Sequence, residues 1–364
     1  MKIRLITAIC LLLTVTSTTL LYGQDAARSV GKPLSAQYEA MDAALAEIAA
    51  PLHSVLVAKG EAIVFERYWT GEDQPWGKAR GTYVYGAEKL HDMRSISKSV
   101  VSLLVGIAVD RGQIDIEKSP FDYLPEYADL ITPQKAKIKM RNLLSMDAGF
   151  VSNEMVAYDD PNNTERLMNI AEDPARYALA RNALHEPGAN WVYDGGSTMV
   201  LARILQKLSG KDLLTLARIE LFEPLGIKNV DWIRLRKSGE FAAQGGLRLL
   251  PRDLVKIGEL VLNDGRWGKR TLVSAGWLRR SATPVHDAWY TERYGLHWWS
   301  GSTVLPDERS VSWTEGLGVG GQRLYIVPDL DMVVVITAGL YGRADQGAIV
   351  RRVFENAIAL YGTH

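Results

Sequence analysis

The chain contains the stretch Met93-Arg94-Ser95-Ile96-Ser97-Lys98-Ser99-Val100, and an apolar run continues from it to residue 109. This pattern predicts a buried helix, which Gly112 can end by adopting the left-handed backbone conformation. Residues three positions apart share one face of a helix. We therefore expect the side chains of Ser95 and Lys98 to meet at the first turn.

A serine and a lysine in this arrangement can carry out nucleophilic chemistry. A serine hydroxyl attacks when a base removes its proton, and a lysine serves as that base when its ammonium form is destabilised. Burial lowers the pKa of a lysine, and so does the positive end of a helix dipole, and both conditions are expected at Lys98. The amide of Ser95 can also donate to a developing oxyanion. We interpret Ser95 as a candidate nucleophile and Lys98 as its candidate base.

The same spacing also occurs by chance, because Ser29-Val30-Gly31-Lys32 repeats it. That copy lies in a stretch interrupted by glycine and proline, beside an N-terminal apolar segment, and it has no partners further along the chain. Context therefore favours the copy that contains Ser95.

Composition restricts the class of protein. The chain has 364 residues, 47% of them hydrophobic, and exceeds the size that one core usually serves, so two lobes are expected. Its 42 basic and 42 acidic residues balance, and no basic run is present. These features argue against a nucleic-acid partner and against an anionic membrane surface.

Residues 1–24 have the pattern of a secretory signal peptide, with a basic start, an apolar segment at 5–21 and expected cleavage near Gly23 or Gln24. The segment is too short and polar for a good transmembrane span, and an uncleaved anchor is the alternative. The only cysteine, Cys10, lies inside it, so the mature chain would have no disulfide and no thiolate metal site. We expect a periplasmic or secreted protein without a stable membrane anchor after cleavage.

Hydrophobic periodicity predicts mixed α and β structure at both ends of the chain. A helix at 35–52 precedes a β-hairpin at 55–58 and 62–68, and 70–91 is predicted to be a polar connection. Further helices are predicted at 139–146, 164–180, 197–208, 213–222, 251–263 and 346–360, and further strands at 294–300, 322–327 and 332–337.

This order of elements predicts an α+β fold, in which one antiparallel sheet is split in the sequence and flanked by helices. We expect an α/β lobe formed by 33–112 and 232–364. The segment 113–231 is expected to form an all-helical subdomain.

Two later stretches can complete a site around Ser95. Tyr193 follows the turn Glu186-Pro187-Gly188 and precedes a predicted helix, where its phenol can pass a proton to a leaving group; a packed aromatic side chain is the alternative. The other stretch is Glu315-Gly316-Leu317-Gly318-Val319-Gly320-Gly321-Gln322. Its glycines allow the backbone to approach a ligand and to supply a second oxyanion donor, although a plain glycine-rich turn has the same composition.

Taken in this order, the three stretches resemble the motifs of the serine β-lactamase and penicillin-binding-protein superfamily, in particular its class C-like branch. The resemblance extends over about residues 54–361 and includes Leu143-Leu144-Ser145-Met146-Asp147-Ala148-Gly149-Phe150 and Gly245-Gly246-Leu247. The Gly-x-Gly-Gly-Gln pattern at 318–322 is most similar to the esterase and 6-aminohexanoate-oligomer hydrolase members.

The resemblance implies a β-lactamase/transpeptidase-like fold and an acyl-enzyme on Ser95. Lys98 would act as base, Tyr193 would assist proton transfer to the leaving group, and the amides of Ser95 and Val319 would form the oxyanion hole. It implies no metal and no organic cofactor. The residues expected to line the substrate site are Tyr158, Gly318, Gly320 and Gln322.

Two departures from the family pattern affect substrate choice. The second motif, usually Tyr-x-Asn, is Tyr193-Asp194-Gly195 here, so the amide that would bind a substrate carbonyl is absent. The third motif usually offers a cation, whereas this chain has Gly316-Leu317-Gly318 preceded by Glu315. An anionic β-lactam or D-Ala-D-Ala terminus would find poor charge complementarity there, unless Arg323 compensates.

Three hypotheses follow. The first is an exported serine hydrolase that cleaves a small-molecule ester or linear amide, and the second is a β-lactamase or D-alanyl-D-alanine carboxypeptidase. The third is a non-catalytic ligand-binding or sensor protein of the same fold, against which the joint presence of Ser95, Lys98 and Tyr193 argues. The natural substrate and the oligomeric state stay open.

Overall fold

The computed structural model describes residues 35–289 and 292–362, so the predicted signal peptide lies outside the described residues. Within this part of the chain, no helix is both long enough and apolar enough to cross a membrane.

The strands of the described part, in chain order, are β1 (Leu52–Lys59), β2 (Ala62–Tyr68), β3 (Thr70–Asp73), β4 (Gly81–Val84), β5 (His91–Asp92), β6 (Val230–Trp232), β7 (Leu247–Leu249), β8 (Arg266–Trp267), β9 (Arg270–Thr271), β10 (His286–Asp287), β11 (Arg293–Tyr294), β12 (Trp299–Val304), β13 (Ser310–Gly318), β14 (Gln322–Val327) and β15 (Met332–Ala338).

Helices account for most of the remaining regular structure. In chain order they are α1 (Ser35–Ala46), α2 (Ile96–Asp110), α3 (Pro120–Tyr123), α4 (Met140–Leu144), α5 (Thr164–Asn169), α6 (Pro174–Ala180), α7 (Gly195–Ser209), α8 (Leu213–Ala217), α9 (Pro251–Leu262), α10 (Ala275–Ala282) and α11 (Gln346–Tyr361).

One antiparallel sheet of eight strands forms the centre of the fold, in the order β10-β11-β12-β13-β14-β15-β1-β2. The first strand of the chain pairs with the last, so that Val55 lies opposite Ile336. The sheet is therefore split in the sequence. The predicted α+β fold with an antiparallel sheet flanked by helices is confirmed.

Both faces of the sheet are covered, which explains the continuous apolar runs of its central strands. Val55 and Val57 pack with α1 and α11 on one face. Leu56 and Ala58 pack on the other face, with α2 and α9. Each fully buried valine or leucine side chain contributes about 1.5–3 kcal/mol to folding through the hydrophobic effect.

Helix α2 is the buried centre of the second face, and only its last two residues are not fully buried. It lies against α10 so closely that a Cβ on Gly106 would come 2.2 Å from the ring of Trp277. The indole N–H of Trp277 donates to the carbonyl of Ser102 at 3.0 Å. Gly112 has φ +69° just after the helix, as the sequence predicted.

The predicted polar connection at 70–91 is wrong in its first part, because β3 and β4 pair there as a two-stranded sheet. Their residues are mostly exposed and polar, so no alternation of apolar side chains signals them. The predicted helix at 164–180 is interrupted, since Asp173 and Pro174 start a new helix, α6. The division into two lobes stays a prediction.

Candidate active site

Ser95 lies directly before α2, at the end of a backbone segment that is held from several sides. Arg94 has φ +51°, a left-handed conformation that costs a non-glycine residue about 1–3 kcal/mol. Its guanidinium donates to the carbonyl of Gln74 at 2.9 Å and lies 3.6 Å from the carboxylate of Asp92. Ser95 itself is partly exposed, so its hydroxyl stands at the surface of the core that α2 fills.

The side chain of Lys98 meets Ser95 as the helical spacing predicted. Its ammonium nitrogen donates to Oγ of Ser95 at 3.0 Å and to the carbonyl of Gln244 at 2.7 Å. The residue is 4% exposed, and Nζ lies 4.8 Å from the ring centroid of Tyr193. The side chains of Ser95, Lys98 and Tyr193 therefore lie next to one another in a single site.

The expectation of a lowered pKa for Lys98 is wrong. Burial acts in that direction, but the nearby Tyr193, Glu154 and Glu165 outweigh it and hold the pKa of Lys98 above its usual value. Sequence reasoning missed the two glutamates because they come from the loop before α5 and from α5 itself. At neutral pH the resting lysine is an ammonium, in keeping with its donation to Ser95 and Gln244.

Tyr193 is partly buried and forms one side of an aromatic cluster. Its ring centroid lies 5.2 Å from that of Trp289 and 6.2 Å from that of Trp299. Its carbonyl accepts a hydrogen bond from the hydroxyl of Ser152 at 2.8 Å, which ties the loop 151–163 to this segment. Trp191 also packs against these rings, so one wall of the site is aromatic.

The altered second motif has a local explanation. Asp194 is the N-cap of α7 and accepts from the amides of Gly196 and Ser197 at 3.1 and 3.0 Å. A buried ion pair with Arg181 at 2.8 Å lowers its pKa against the opposing effect of burial. The role of Asp194 is therefore to cap the N-terminus of α7, the helix that follows Tyr193.

Gly195, where the family motif has an asparagine, is closely surrounded by the side chains of Gln244 and Glu154, which a larger residue would have to displace. A Cβ at this position would lie 3.1 Å from the side chain of Gln244 and 3.2 Å from Oε1 of Glu154. The carboxyl of Glu154 accepts a hydrogen bond from the amide of Gly195 at 2.7 Å. Removal of this carboxyl from water, together with the nearby carboxylate of Glu165, raises the pKa of Glu154 to about 8. A carboxyl group thus lies beside the position at which the family motif has its asparagine.

The glycine-rich stretch forms the end of β13 and the turn to β14. A Cβ on Gly318 would lie 2.5 Å from the carbonyl of Met93 and 3.0 Å from Cβ of Arg94, so the strand runs against the backbone that leads into Ser95. Val319 follows this contact directly and is 48% exposed. Among the described residues, neither the amide of Ser95 nor that of Val319 donates to a protein acceptor. Both predicted oxyanion donors are therefore free.

Substitution of Gly318 by alanine is expected to lower kcat/KM by about 100-fold, because the added methyl group forces the strand away from Met93 and displaces one oxyanion donor. Hydrolysis of a nitrophenyl ester, measured alongside the melting temperature, checks this. Gly347→Ala is the matched control, since a Cβ there meets nothing within 4 Å and φ is not positive. Equal activity of the two variants would contradict the placement of the strand.

The guanidinium of Arg323 is buried among the strands and is not exposed at the surface. Its guanidinium donates to the carbonyls of Gly318 and Gln322 at 3.0 and 2.8 Å and lies 2.7 Å from the carboxyl of Glu315. Both side chains are almost fully buried. Arg323 is thus unavailable to compensate for the cation that the third motif lacks.

The residues predicted to contact substrate have different surroundings. Tyr158 is 54% exposed, and its hydroxyl accepts from the amide of Asn169 at 3.1 Å. Gly320 belongs to the turn after Val319, and a Cβ on it would lie 2.4 Å from the ring of Tyr341. The side chain of Gln322 is fully buried and donates to the carbonyl of Ala338 at 2.8 Å, so it supports the turn from behind. Substrate contact stays a prediction for all of these residues.

The histidines have partners of their own. His53 and His91 share a hydrogen bond of 2.8 Å, and His297 contacts the carbonyl of Leu144 at 2.8 Å. Burial lowers the pKa of His53 and of His297 to about 3, so both are neutral at pH 7. Within 35–289 and 292–362, no three His, Cys, Asp or Glu side chains are grouped as a metal site would require.

Comparison with known proteins identifies the class to which this arrangement belongs. The family model described as Beta-lactamase matches residues 39–354, well over half of the chain. The chain belongs to the β-lactamase family, and thereby to the serine β-lactamase and penicillin-binding-protein superfamily. Together with its relatives, this makes the protein a hydrolase of the β-lactamase fold.

Individual relatives include hydrolases of amides. The chain is 25% identical over 300 residues to a 6-aminohexanoate-dimer hydrolase of Paenarthrobacter ureafaciens, covering 77% of this chain and 70% of the relative. A penicillin-binding-protein homolog from Caulobacter crescentus has a TM-score of 0.68 at 16% identity, over 89% of this chain and 97% of that one. A D-stereospecific amidohydrolase from a Streptomyces species has a TM-score of 0.63 at 18% identity, over 91% and 99%. The two structural likenesses show the fold.

Proposed function

We propose that this protein is an exported serine hydrolase that cleaves an ester or a small linear amide through an acyl-enzyme on Ser95. The observation that carries the proposal is the contact of the buried Lys98 with Oγ of Ser95 at 3.0 Å, beneath the ring of Tyr193. A nucleophile and a base within hydrogen-bond distance, next to a third polar group, are the recurring elements of such sites.

Acylation begins when Oγ of Ser95 attacks the substrate carbonyl carbon while Lys98, in its neutral form, accepts the hydroxyl proton. The carbonyl oxygen becomes an oxyanion, and the free amides of Ser95 and Val319 donate to it. When the tetrahedral intermediate collapses, the bond to the leaving group breaks. The proton held by Lys98 then reaches the leaving oxygen or nitrogen through the hydroxyl of Tyr193.

Deacylation reverses these roles. A water molecule attacks the acyl carbonyl and gives its proton to the Tyr193 and Lys98 pair, the bond to Oγ breaks, and Ser95 recovers its proton. The carboxylic acid product then leaves.

The charges around the site favour a substrate without a carboxylate near the reacting carbonyl. Glu154 and Glu165 lie close enough to Lys98 to raise its pKa, and Arg323 is turned away into the sheet. An anionic β-lactam or a D-Ala-D-Ala terminus would meet carboxyl groups where a cation is needed. We therefore rank linear amides and esters above β-lactams as substrates. The Paenarthrobacter relative, a 6-aminohexanoate-dimer hydrolase, supports this ranking.

Export to the periplasm or the medium is part of the proposal and is supported by the basic start and apolar segment within residues 1–24. N-terminal sequencing of the mature protein tests it. A start near Gly23 or Gln24 agrees with export and cleavage, a retained Met1 on exported protein supports the uncleaved anchor, and a retained Met1 on protein found only in the cytoplasm contradicts export.

The reaction type is tested with four reagents on the purified protein. We expect labelling by a fluorophosphonate probe, turnover of a short-chain nitrophenyl ester and of a linear amide, and slow turnover of a chromogenic cephalosporin. Cephalosporin turnover far above ester turnover would support the β-lactamase alternative. No labelling and no turnover of any substrate would support a binding or sensor protein.

A further inference from the structure

The turn that carries Val319 is held by hydrogen bonds to the side chains of Gln322, Arg323 and Gln346. Gly318 and Gln322 face each other as the last pair of β13 and β14, and the three residues between them form the turn. The amide of Gly320 donates to the side chain of Gln346 at 2.9 Å. The side chain of Gln322 bridges the carbonyls of Val319 and Ala338 at 3.3 and 2.8 Å.

Arg323 adds the only charged contact to this turn among the described residues. One of its terminal nitrogens, Nη1, donates to the carbonyl of Gly318 at 3.0 Å and to that of Gln322 at 2.8 Å. These are the two residues that open and close the turn, so a single nitrogen joins its ends. The guanidinium is planar and rigid, and it can hold this geometry while its other nitrogens bind elsewhere.

The rest of the guanidinium is fixed by a carboxyl group. Nε of Arg323 lies 2.7 Å from Oε1 of Glu315, and the two side chains form a close ion pair. This contact does not have hydrogen-bond geometry. Glu315 has no exposed surface. Burial raises its pKa to about 7 against the lowering effect of Arg323, and Glu292, Arg351 and Tyr325 also act on it. A buried ion pair seldom adds net stability, so its position behind the turn suggests a different use.

We propose that Arg323 is a positioning residue for catalysis, whose clamp on the carbonyls of Gly318 and Gln322 fixes the direction of the Val319 amide toward the oxyanion. This inference rests on the proposed function, in which that amide is an oxyanion donor. A donor that is already fixed in direction does not have to reorient as negative charge develops on the carbonyl oxygen. This preorganisation is the reason that an oxyanion hole stabilises the transition state so strongly. Glu315 in turn holds Arg323 in place.

The test compares Arg323→Lys with Arg351→Lys. A lysine at 323 keeps the charge next to Glu315 but cannot join both carbonyls in the same geometry. Arg351 belongs to the same charged group, lies 3.4 Å from Glu292 and stacks on Trp313, but makes no contact with the turn. For Arg323→Lys we expect kcat for a nitrophenyl ester to fall about 10- to 100-fold with KM within about threefold, and Arg351→Lys to retain the wild-type kcat.

A second measurement does not depend on activity. Hydrogen exchange of the peptide that spans the turn is expected to be faster in Arg323→Lys than in the wild type, and unchanged in Arg351→Lys. The clamp is contradicted if Arg323→Lys keeps its kcat within about twofold, if only KM changes, if Arg351→Lys loses as much, or if the exchange of the turn is unaltered. A wild type without Ser95-dependent turnover would contradict the proposed function, and the exchange comparison would still decide on the clamp.

Discussion

Replacing Ser95 by alanine is expected to lower kcat/KM for ester hydrolysis by at least about 10⁴-fold, the loss typical of removing a catalytic nucleophile. The side chain is partly exposed, and among the described residues its only hydrogen bond is the one from Lys98, so its loss costs the fold little. Labelling by a fluorophosphonate probe should disappear with the activity. Steady-state kinetics and gel fluorescence on the folded variant provide the measurement.

Ser99→Ala is the matched control for this variant. Ser99 lies one turn further along α2 and donates a buried hydrogen bond to the carbonyl of His297 at 2.8 Å. Its loss should cost about 1 kcal/mol of stability and leave kcat/KM within about threefold. Turnover by Ser95→Ala at the wild-type rate would show that another residue attacks the substrate.

Replacing Lys98 by methionine is expected to lower kcat/KM by about 10³-fold, because it removes the base while roughly keeping the buried volume. The carbonyl of Gln244 loses its partner, so the melting temperature should also fall. Lys135→Met separates the two effects. Lys135 is buried as well and donates to the carbonyl of Leu179 at 2.7 Å, away from Ser95. This control should lose stability without losing kcat/KM, and equal losses of activity would argue against a catalytic lysine.

The pH profile gives an independent view of Lys98. Burial acts to lower its pKa, but Tyr193, Glu154 and Glu165 together hold it above the usual value, so little neutral lysine exists at pH 7. Because the neutral form is the base, kcat/KM of the wild type should rise as pH increases above 7. The pKa of Glu154 is about 8, and its ionisation favours the ammonium form of Lys98. The rise should therefore become less steep above that pH, and an activity that falls from pH 7 to 9 would contradict this role.

The sequence was sufficient for those parts of the site that depend on local geometry. Three-residue spacing on a helix brings Ser95 and Lys98 into contact wherever the helix lies, and the apolar run behind them predicts its burial. The hairpin of β1 and β2 and the pair of β14 and β15 were predicted from their apolar composition. The strand β13 was not predicted, and the strand predicted at 294–300 is wrong, because the short β11 and the later β12 stand in its place. The distribution of strands along the chain predicted one sheet split in the sequence, but it did not predict that the first strand pairs with the last.

What sequence reasoning missed depends on contacts between distant segments. Burial lowers the pKa of Lys98, and Tyr193 together with Glu154 and Glu165 raises it; the two glutamates are brought to the site by a loop and by α5, and no spacing in the sequence indicates this. The direction of Arg323 was equally open, because a strand residue can face either side of its sheet. The strands β3 and β4 were missed because their residues are polar and exposed on both faces.

The central claim is that Ser95 carries the acyl group during turnover. Mass spectrometry of protein quenched in acid during hydrolysis of a slowly deacylating nitrophenyl ester tests it most directly. The predicted result is one acyl group per chain, located by peptide mapping on Ser95 and absent from Ser95→Ala. An acyl group on another residue, or steady turnover with no acylated protein when deacylation limits the rate, would contradict the claim.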